Sequence, residues 1–146
     1  MRLIIDGDGC PQGVKKICED AANYFNIDLI IVVDMAHYVF SNYTVITVEQ
    51  GRDAVDYKII EILKNKDIVI TQDYGLASLA MKKANCVIHT NGFIFTEKNI
   101  DNLLHSRYIG QKIRKAGGKT KGPKKRTDLQ DEKFRNTLFN VIKKCF

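Results

Sequence analysis

The chain lacks any apolar run approaching the ~20 residues needed to cross a bilayer. Its opening, Met1-Arg2-Leu3-Ile4-Ile5-Asp6, has no signal-peptide apolar core, because Asp6 and Asp8 interrupt it. A cytoplasmic protein with no membrane attachment is therefore expected. Cysteine is sparse and unpaired in pattern. Cys10, Cys18, Cys86 and Cys145 form no C-x-x-C unit and have no close histidine partners. That spacing argues against a zinc ribbon, and reduced, mostly buried thiols are the expectation. The three histidines, His37, His89 and His105, are isolated in sequence and read as ordinary polar residues rather than zinc ligands. No segment repeats another, and no pattern specifies an oligomeric state.

What is present fits one globular domain spanning residues 1–146, with 45% hydrophobic residues. The net charge of +6 is unevenly spread. Residues 1–106 carry 10 Lys/Arg and 14 Asp/Glu, a net of −4; residues 107–146 carry 13 and 3, a net of +10. An acidic body with a basic extension suggests a polyanionic partner held near a carboxylate cluster. Simple solvation of an exposed tail is the competing explanation.

Apolar runs alternate with amphipathic segments. Leu3–Ile5, Leu29–Val33, Val45–Val48, Ile68–Thr71 and Cys86–His89 read as strands. Helices are expected after Pro11, from Asp53 as cap to about Asn65, over Leu76–Lys83, over Asn99–Lys115 and over Asp131–Lys144. The helix at Asn99–Lys115 would use Ile100, Leu103, Leu104, Tyr108 and Ile113 as contacts. Met35–Thr44 is a less regular connection, and Gly92–Phe95 is either a short strand or a loop. Residues 116–126 are too rich in glycine and lysine to pack alone and read as a mobile loop. The alternation predicts an α/β fold with a central, mostly parallel sheet, helices on both faces and a C-terminal helical extension docked back on the body.

Five aspartates stand where separate segments could meet. Asp6 and Asp8 follow the first strand, Asp73 follows the fourth, and Asp53 and Asp56 share one side of a helix start. Ligands of open α/β sheets collect beyond the carboxyl ends of strands, where strand order reverses. Two unit charges 4 Å apart repel by roughly 4 kcal/mol at an effective dielectric of 20, against a domain stability of ~5–15 kcal/mol. Such a cluster therefore calls for compensation, and Mg²⁺ or Mn²⁺ suits an all-oxygen donor set. Two metals ~4 Å apart would support in-line phosphodiester hydrolysis without a Ser, Cys or His nucleophile.

Each acid also has a purely structural reading. Asp53 is a natural N-cap, Asp56 suits a helix N-terminus through the dipole, and Asp8 can stabilise the Gly7–Gly9 turn. Asp6 and Asp73 are harder to explain that way, since a carboxylate ending a buried strand needs a partner. Thr71 and Gln72 either orient Asp73 or simply end the strand. Lys112 to Arg126 holds eight basic residues and no acid, which suits a phosphate backbone or plain solvation equally. The basic set assigned to nucleic acid is Arg107, Arg114, Lys115, Lys119, Lys121, Lys124, Lys125 and Arg126. Tyr38, Phe40 and Tyr43 either stack on bases or serve a core or interface.

Ile5-Asp6-Gly7-Asp8-Gly9-Cys10-Pro11 resembles the D-A-D-x-C-P start of the bacterial YaiI/YqxD family. Asp53-Ala54-Val55-Asp56 is similar to its D-x-x-D helix start, and Asp67-Ile68-Val69-Ile70-Thr71-Gln72-Asp73 to its D-I-V-x-T-Q-D segment. The resemblance continues through Asn91-Gly92, Asn99-Ile100, Arg107, Arg114, Gly117-Gly118, Gly122-Pro123 and Asp128 to Phe134. Gly7 departs from the family's usual Ala; both are small, and little consequence is expected. That family is similar to PIN-like nuclease domains, α/β sandwiches with acidic, Mg²⁺- or Mn²⁺-dependent sites. The resemblance implies a three-layer sandwich in which Asp6, Asp56 and Asp73 are the catalytic acids, with Asp8 and Asp53 as further metal ligands.

The resulting expectation is a metal-dependent nuclease, with RNA favoured over DNA although no residue separates the two. A non-catalytic nucleic-acid-binding module is the first alternative. A haloacid-dehalogenase-like phosphatase is the second, since Leu3-Ile4-Ile5-Asp6-Gly7-Asp8 fits a strand-D-x-D opening with Asp6 as nucleophile and Asp8 as acid/base. Against it, Gly9 stands where Thr or Val is expected, and the chain is short for that family.

Overall fold

The computed structural model of the protein describes residues 1–51, 53–118 and 125–146. Its elements run β1 (Arg2–Asp6), α1 (Gln12–Phe25), β2 (Asp28–Asp34), β3 (Thr44–Val48), α2 (Ala54–Ile62), β4 (Ile68–Ile70), α3 (Tyr74–Ala80), β5 (Cys86–Ile88), α4 (Glu97–Lys115) and α5 (Asp128–Lys144). The five strands form one parallel sheet in the order β3-β2-β1-β4-β5. The order reverses between β1 and β4, where Leu3, Ile4 and Ile5 pair with Ile68, Val69 and Ile70.

Alternate strand residues feed two cores. Leu3, Ile5, Leu29, Ile31, Ile68 and Ile70 face α1 and α5, joined by Val14, Cys18, Phe134 and Leu138. Ile4, Val32, Val69 and Val87 face the other way, onto Val55, Ile59, Leu76, Ala77 and Ile100 of α2, α3 and α4. Both sheet faces are buried, so the strands read as continuous apolar runs rather than alternating ones. The result is the expected three-layer α/β sandwich, with the last helix packed on α1.

Several boundaries differ from the sequence-based expectation. α4 begins at Glu97 rather than Asn99, because Thr96 and Asn99 form a reciprocal capping box: Asn99 N–H donates to Thr96 Oγ1 (3.1 Å), and Thr96 N–H donates to Asn99 Oδ1 (2.8 Å). α5 begins at Asp128 rather than Asp131, where Thr127 N–H donates to Gln130 Oε1 (2.9 Å). α2 stops at Ile62, since Lys64 N–H turns to Asp67 Oδ2 (2.7 Å). Of the expected α4 contacts, Ile100 is buried and Leu103 and Leu104 pack partly, but Tyr108 and Ile113 are exposed. That expectation is corrected: the second half of α4 reaches past the body.

Residues 35–43 join the adjacent parallel strands β2 and β3 without a helix. Nine residues can span up to ~30 Å, while a five-residue strand is ~17 Å long, so an extended return suffices. Gly92–Phe95 is a turn that folds back on β5 through an antiparallel bridge between Ile88 and Ile94. Gly92 has φ +95°, and a Cβ there would lie 2.8 Å from the Lys133 backbone. Gly7 is more constrained than expected. A Cβ would overlap Val33 Cγ1 and sit 2.8 Å from the Val32 carbonyl oxygen, because Gly7 N–H donates to that same oxygen across the β1–β2 seam (2.8 Å). Of the loop expected at 116–126, residues 119–124 lie outside the described residues.

Candidate acidic site at the strand-order reversal

Asp6 ends β1 and is 9% exposed. Its Oδ2 accepts a hydrogen bond from Thr71 Oγ1 at 2.8 Å. Thr71, 1% exposed, follows β4, and its Oγ1 also accepts from Asp73 N–H at 2.9 Å. One hydroxyl thus ties the carboxyl end of β1 to the turn after β4. Asp73 in turn caps α3, its Oδ1 accepting from Leu76 N–H at 3.0 Å. Gln72 reaches back across the same seam, Nε2 donating to the Gly9 carbonyl at 3.0 Å. Thr71 therefore orients both acids, while Gln72 holds the β1–α1 turn rather than Asp73.

The five aspartates line one cleft of about 410 Å³, together with Arg107 of α4. Asp6 and Asp8 enter from β1, Asp73 from the start of α3, and Asp53 and Asp56 from the start of α2. Asp53 precedes α2 as expected, but its side chain makes no capping hydrogen bond. Its backbone is left-handed, at φ +61°. That conformation disfavours L-residues, with Asp and Asn the best tolerated. The capping role expected for Asp53 is therefore corrected: its carboxylate faces the cleft.

Burial and mutual repulsion raise the pKa values of Asp6 and Asp56. Burial is the main cause for Asp6, with Asp8 and Asp73 adding repulsion against the relief given by Thr71, and the group is pushed up to about 6. Asp56 is pushed up to about 7 by burial and then by Asp73, Asp6, Asp53 and Asp8 in descending order. All four other acids act on Asp56, so the five share one electrostatic field. Burial and like charge together disfavour the ionised form of both groups. The donor set is entirely carboxylate oxygen, which fits a hard divalent cation such as Mg²⁺ or Mn²⁺.

Asp8 belongs to a second group. Its Oδ1 accepts weakly from Asp34 N–H (3.4 Å) and lies 3.4 Å from His37 Nδ1, which is 2.7 Å from Asp34 Oδ1. Ligand atoms of Asp8, Asp34 and His37 all lie within 4.8 Å of one another. Asp34 raises the pKa of His37, and His37 lowers that of Asp34. A protonated His37 would offset one of the two carboxylate charges, Asp34 being the nearer partner. The triad is not evident from sequence spacing. Its one signal was Asp34-x-x-His37 directly after a buried strand.

The basic residues scatter. Arg107 lines the cleft, and no hydrogen bond or ion pair among the described residues engages it. Arg114 and Lys115 lie in the last turn of the exposed part of α4. Lys125 is exposed. Arg126 turns inward: its Nε donates to Asp131 (2.6 Å), Nη1 to Asn91 Oδ1 (3.2 Å) and Nη2 to the Thr90 carbonyl (2.7 Å). Those three bonds fasten the start of α5 to the end of β5. Lys119, Lys121 and Lys124 lie outside the described residues. Tyr38 and Phe40 stand exposed on the β2–β3 connection, whereas Tyr43 packs partly on the core.

Fold and site together define a parallel three-layer α/β protein with an acid-lined cleft at its topological switch point. No helix among the described residues is long and apolar enough to cross a membrane. The chain belongs to the YaiI/YqxD family, described as uncharacterised, whose model matches residues 4–144. It is 46% identical over 143 residues to a UPF0178 protein of Natranaerobius thermophilus, covering 97% of this chain and 96% of that one. A UPF0178 protein of Enterococcus faecalis is 40% identical over 148 residues, covering 99% of each chain. One from Clostridium kluyveri is 44% identical, covering 97% of this chain and 93% of that one. No solved structure matches the chain significantly.

Proposed function

We propose that the protein is a metal-dependent nuclease of the PIN-like type that hydrolyses phosphodiester bonds, with RNA the favoured substrate. The observation that carries this reading is the convergence of five carboxylates from three separate segments in one cleft, two of them with raised pKa values. Such a field is costly unless a cation or cationic ligand occupies it. Asp6, Asp56 and Asp73 are the central ligands for Mg²⁺ or Mn²⁺, with Asp8 and Asp53 at the flanks. The bound ion would supply Lewis-acid polarisation of a phosphate and of the attacking water.

The chain's own groups have separable tasks. Thr71 fixes the Asp6 carboxylate and the Asp73 backbone with one hydroxyl. Asp56, pushed up to about 7 in the empty cleft, must lose its proton to serve as a ligand, so cation binding should strengthen as pH rises through that value. Arg107 is placed at the cleft to meet a phosphate, for which a guanidinium is the geometric match. Arg114, Lys115 and Lys125, with Lys119, Lys121 and Lys124, are the proposed backbone contacts.

The test is a calorimetric Mn²⁺ titration of wild type, Asp6→Asn and Asp73→Asn, paired with cleavage of labelled RNA. Asn retains an oxygen able to cap α3, so Asp73→Asn removes charge while sparing that helix start. Millimolar or tighter binding by wild type, weakened at least tenfold in both variants along with cleavage, is expected. Wild type that binds no Mn²⁺ at millimolar concentration would refute the reading. RNA binding without cleavage in any variant would instead indicate a non-catalytic binding module.

A further inference from the structure

A second groove, of about 460 Å³, shares Asp53, Asp56, Asp73 and Arg107 with the acid cleft and so continues from it. Its far wall changes character. Tyr57 and Ile60 of α2 face Leu76 and Leu79 of α3. Tyr57 is 72% exposed and Leu79 is 52% exposed. On α2, Asp56 and Ile60 are four apart with Tyr57 beside Asp56, and Asp53 stands just before the helix, so the wall passes from carboxylate to aromatic ring to aliphatic side chain. Arg107 stands at the junction of the two cavities.

We infer that this α2–α3 groove is the subsite for one unpaired nucleobase of a single-stranded nucleic acid, with the adjoining phosphate on Arg107. The inference rests on the nuclease reading and adds a substrate class to it. A ligand filling both cavities would match their walls with an anionic group at Arg107 beside a flat apolar group against Tyr57. A nucleotide has that form. Tyr57 offers a stacking face that tolerates any base, and Leu79 and Ile60 offer apolar contact around it. A base held there has left its duplex stack, so single strands, loops and ends are accepted and continuous duplex is excluded.

The experiment uses the full chain with a single-stranded RNA decamer carrying one 2-aminopurine, and the same decamer in a blunt duplex. Ca²⁺ replaces Mn²⁺ for binding, and Mn²⁺ is used for cleavage. Wild type should quench the probe on binding the single strand and bind the duplex at least tenfold more weakly. Tyr57→Ala should lose the quench and bind the single strand about tenfold more weakly, with Tyr57→Phe restoring both. Tyr57 is exposed, so neither variant threatens the fold. Quenching that depends on Tyr57 without cleavage would keep the subsite and remove the hydrolytic reading. Cleavage with equal affinity in wild type and Tyr57→Ala would keep the nuclease and overturn the subsite. A light-scattering mass of twice the chain, halved by Tyr57→Ala, would also overturn it, because a second copy would then occupy the groove.

Discussion

Replacing Asp6 with Asn should make the metal-free protein more stable, and increasingly so as pH rises. The carboxyl ordinarily titrates near 3.8 and here is held up to about 6. Below pH 3.8 both folded and unfolded chains carry the proton, so the site imposes no penalty. Between the two values the unfolded chain releases its proton while the folded one retains it, and stability falls. Above the folded value the whole penalty is present. A two-unit rise corresponds to about 3 kcal/mol at pH 8 and about 0.5 kcal/mol at pH 4. Asp6 is nearly buried, so solvent screening reduces this little. Asn can still accept from Thr71, so the stabilising effect of Asp6→Asn should grow by about 2 kcal/mol from pH 4 to pH 8, or several degrees in Tm. Urea unfolding in EDTA at four pH values measures it. Millimolar Mn²⁺ should erase the advantage by stabilising only wild type. A variant equally destabilised at every pH would show that Asp6 does not sit in a field of like charge.

Thr71→Val keeps the shape but strips one hydrogen bond from Asp6 and one from the Asp73 backbone; the Asp6 pKa should rise further and stability fall by about 1–3 kcal/mol, read by carboxyl NMR titration and urea melts. Asp67→Ala leaves Arg2 without the partner that meets it at 2.6 and 3.0 Å and frees Lys64 N–H; a loss of about 2–4 kcal/mol is expected at neutral pH, with Mn²⁺ affinity unchanged because this pair lies at the opposite end of the sheet. Gly92→Ala combines a left-handed backbone with a collision against the α5 backbone and should cost at least about 2 kcal/mol by thermal melting.

The layout of the sheet was legible because buried parallel strands leave a strong sequence trace. Ile68-Val69-Ile70 and Leu29–Val33 have no other plausible state, whereas the reversal between the first and fourth strands enters the sequence argument only as a condition and is supplied by the strand pairing. The apolar pattern alone places the starts of α4 and α5 too late, because the T-x-x-N and T-x-x-Q boxes at Thr96 and Thr127 begin each helix ahead of its first buried residue. The second half of α4 was misjudged for a related reason. Period alone assigns Tyr108 and Ile113 to a core, but nothing in a period says how far the partner layer extends. Among site residues, the five acids were readable from their positions at element ends. Thr71 as a shared bridge, and Asp34 with His37 beside Asp8, were not, because each depends on a cross-strand neighbour that only register supplies. Arg126 was counted with the basic surface, since composition cannot separate a cation turned inward to Asp131 from one facing solvent.

The position of the cleft follows from the chain path. At the reversal β1 leads into α1 on one face and β4 leads into α3 on the other, so the two connections diverge and leave a gap over Asp6 and Asp73. α2 packs on the α3 side, which brings Asp53 and Asp56 to the gap's rim, and α4 adds Arg107 from the same side. The exact end of β1 then decides what the fold can tolerate. Ile4 and Ile5 point into opposite cores and are almost fully buried. A carboxylate at either position would meet only aliphatic neighbours and would be held protonated or unfold the sheet. One residue further on, Asp6 clears the helical layers yet remains shielded enough to feel its neighbours. The site thus sits just past the buried run Leu3–Ile5, at the first position toward the carboxyl end of the sheet where a charge is tolerated.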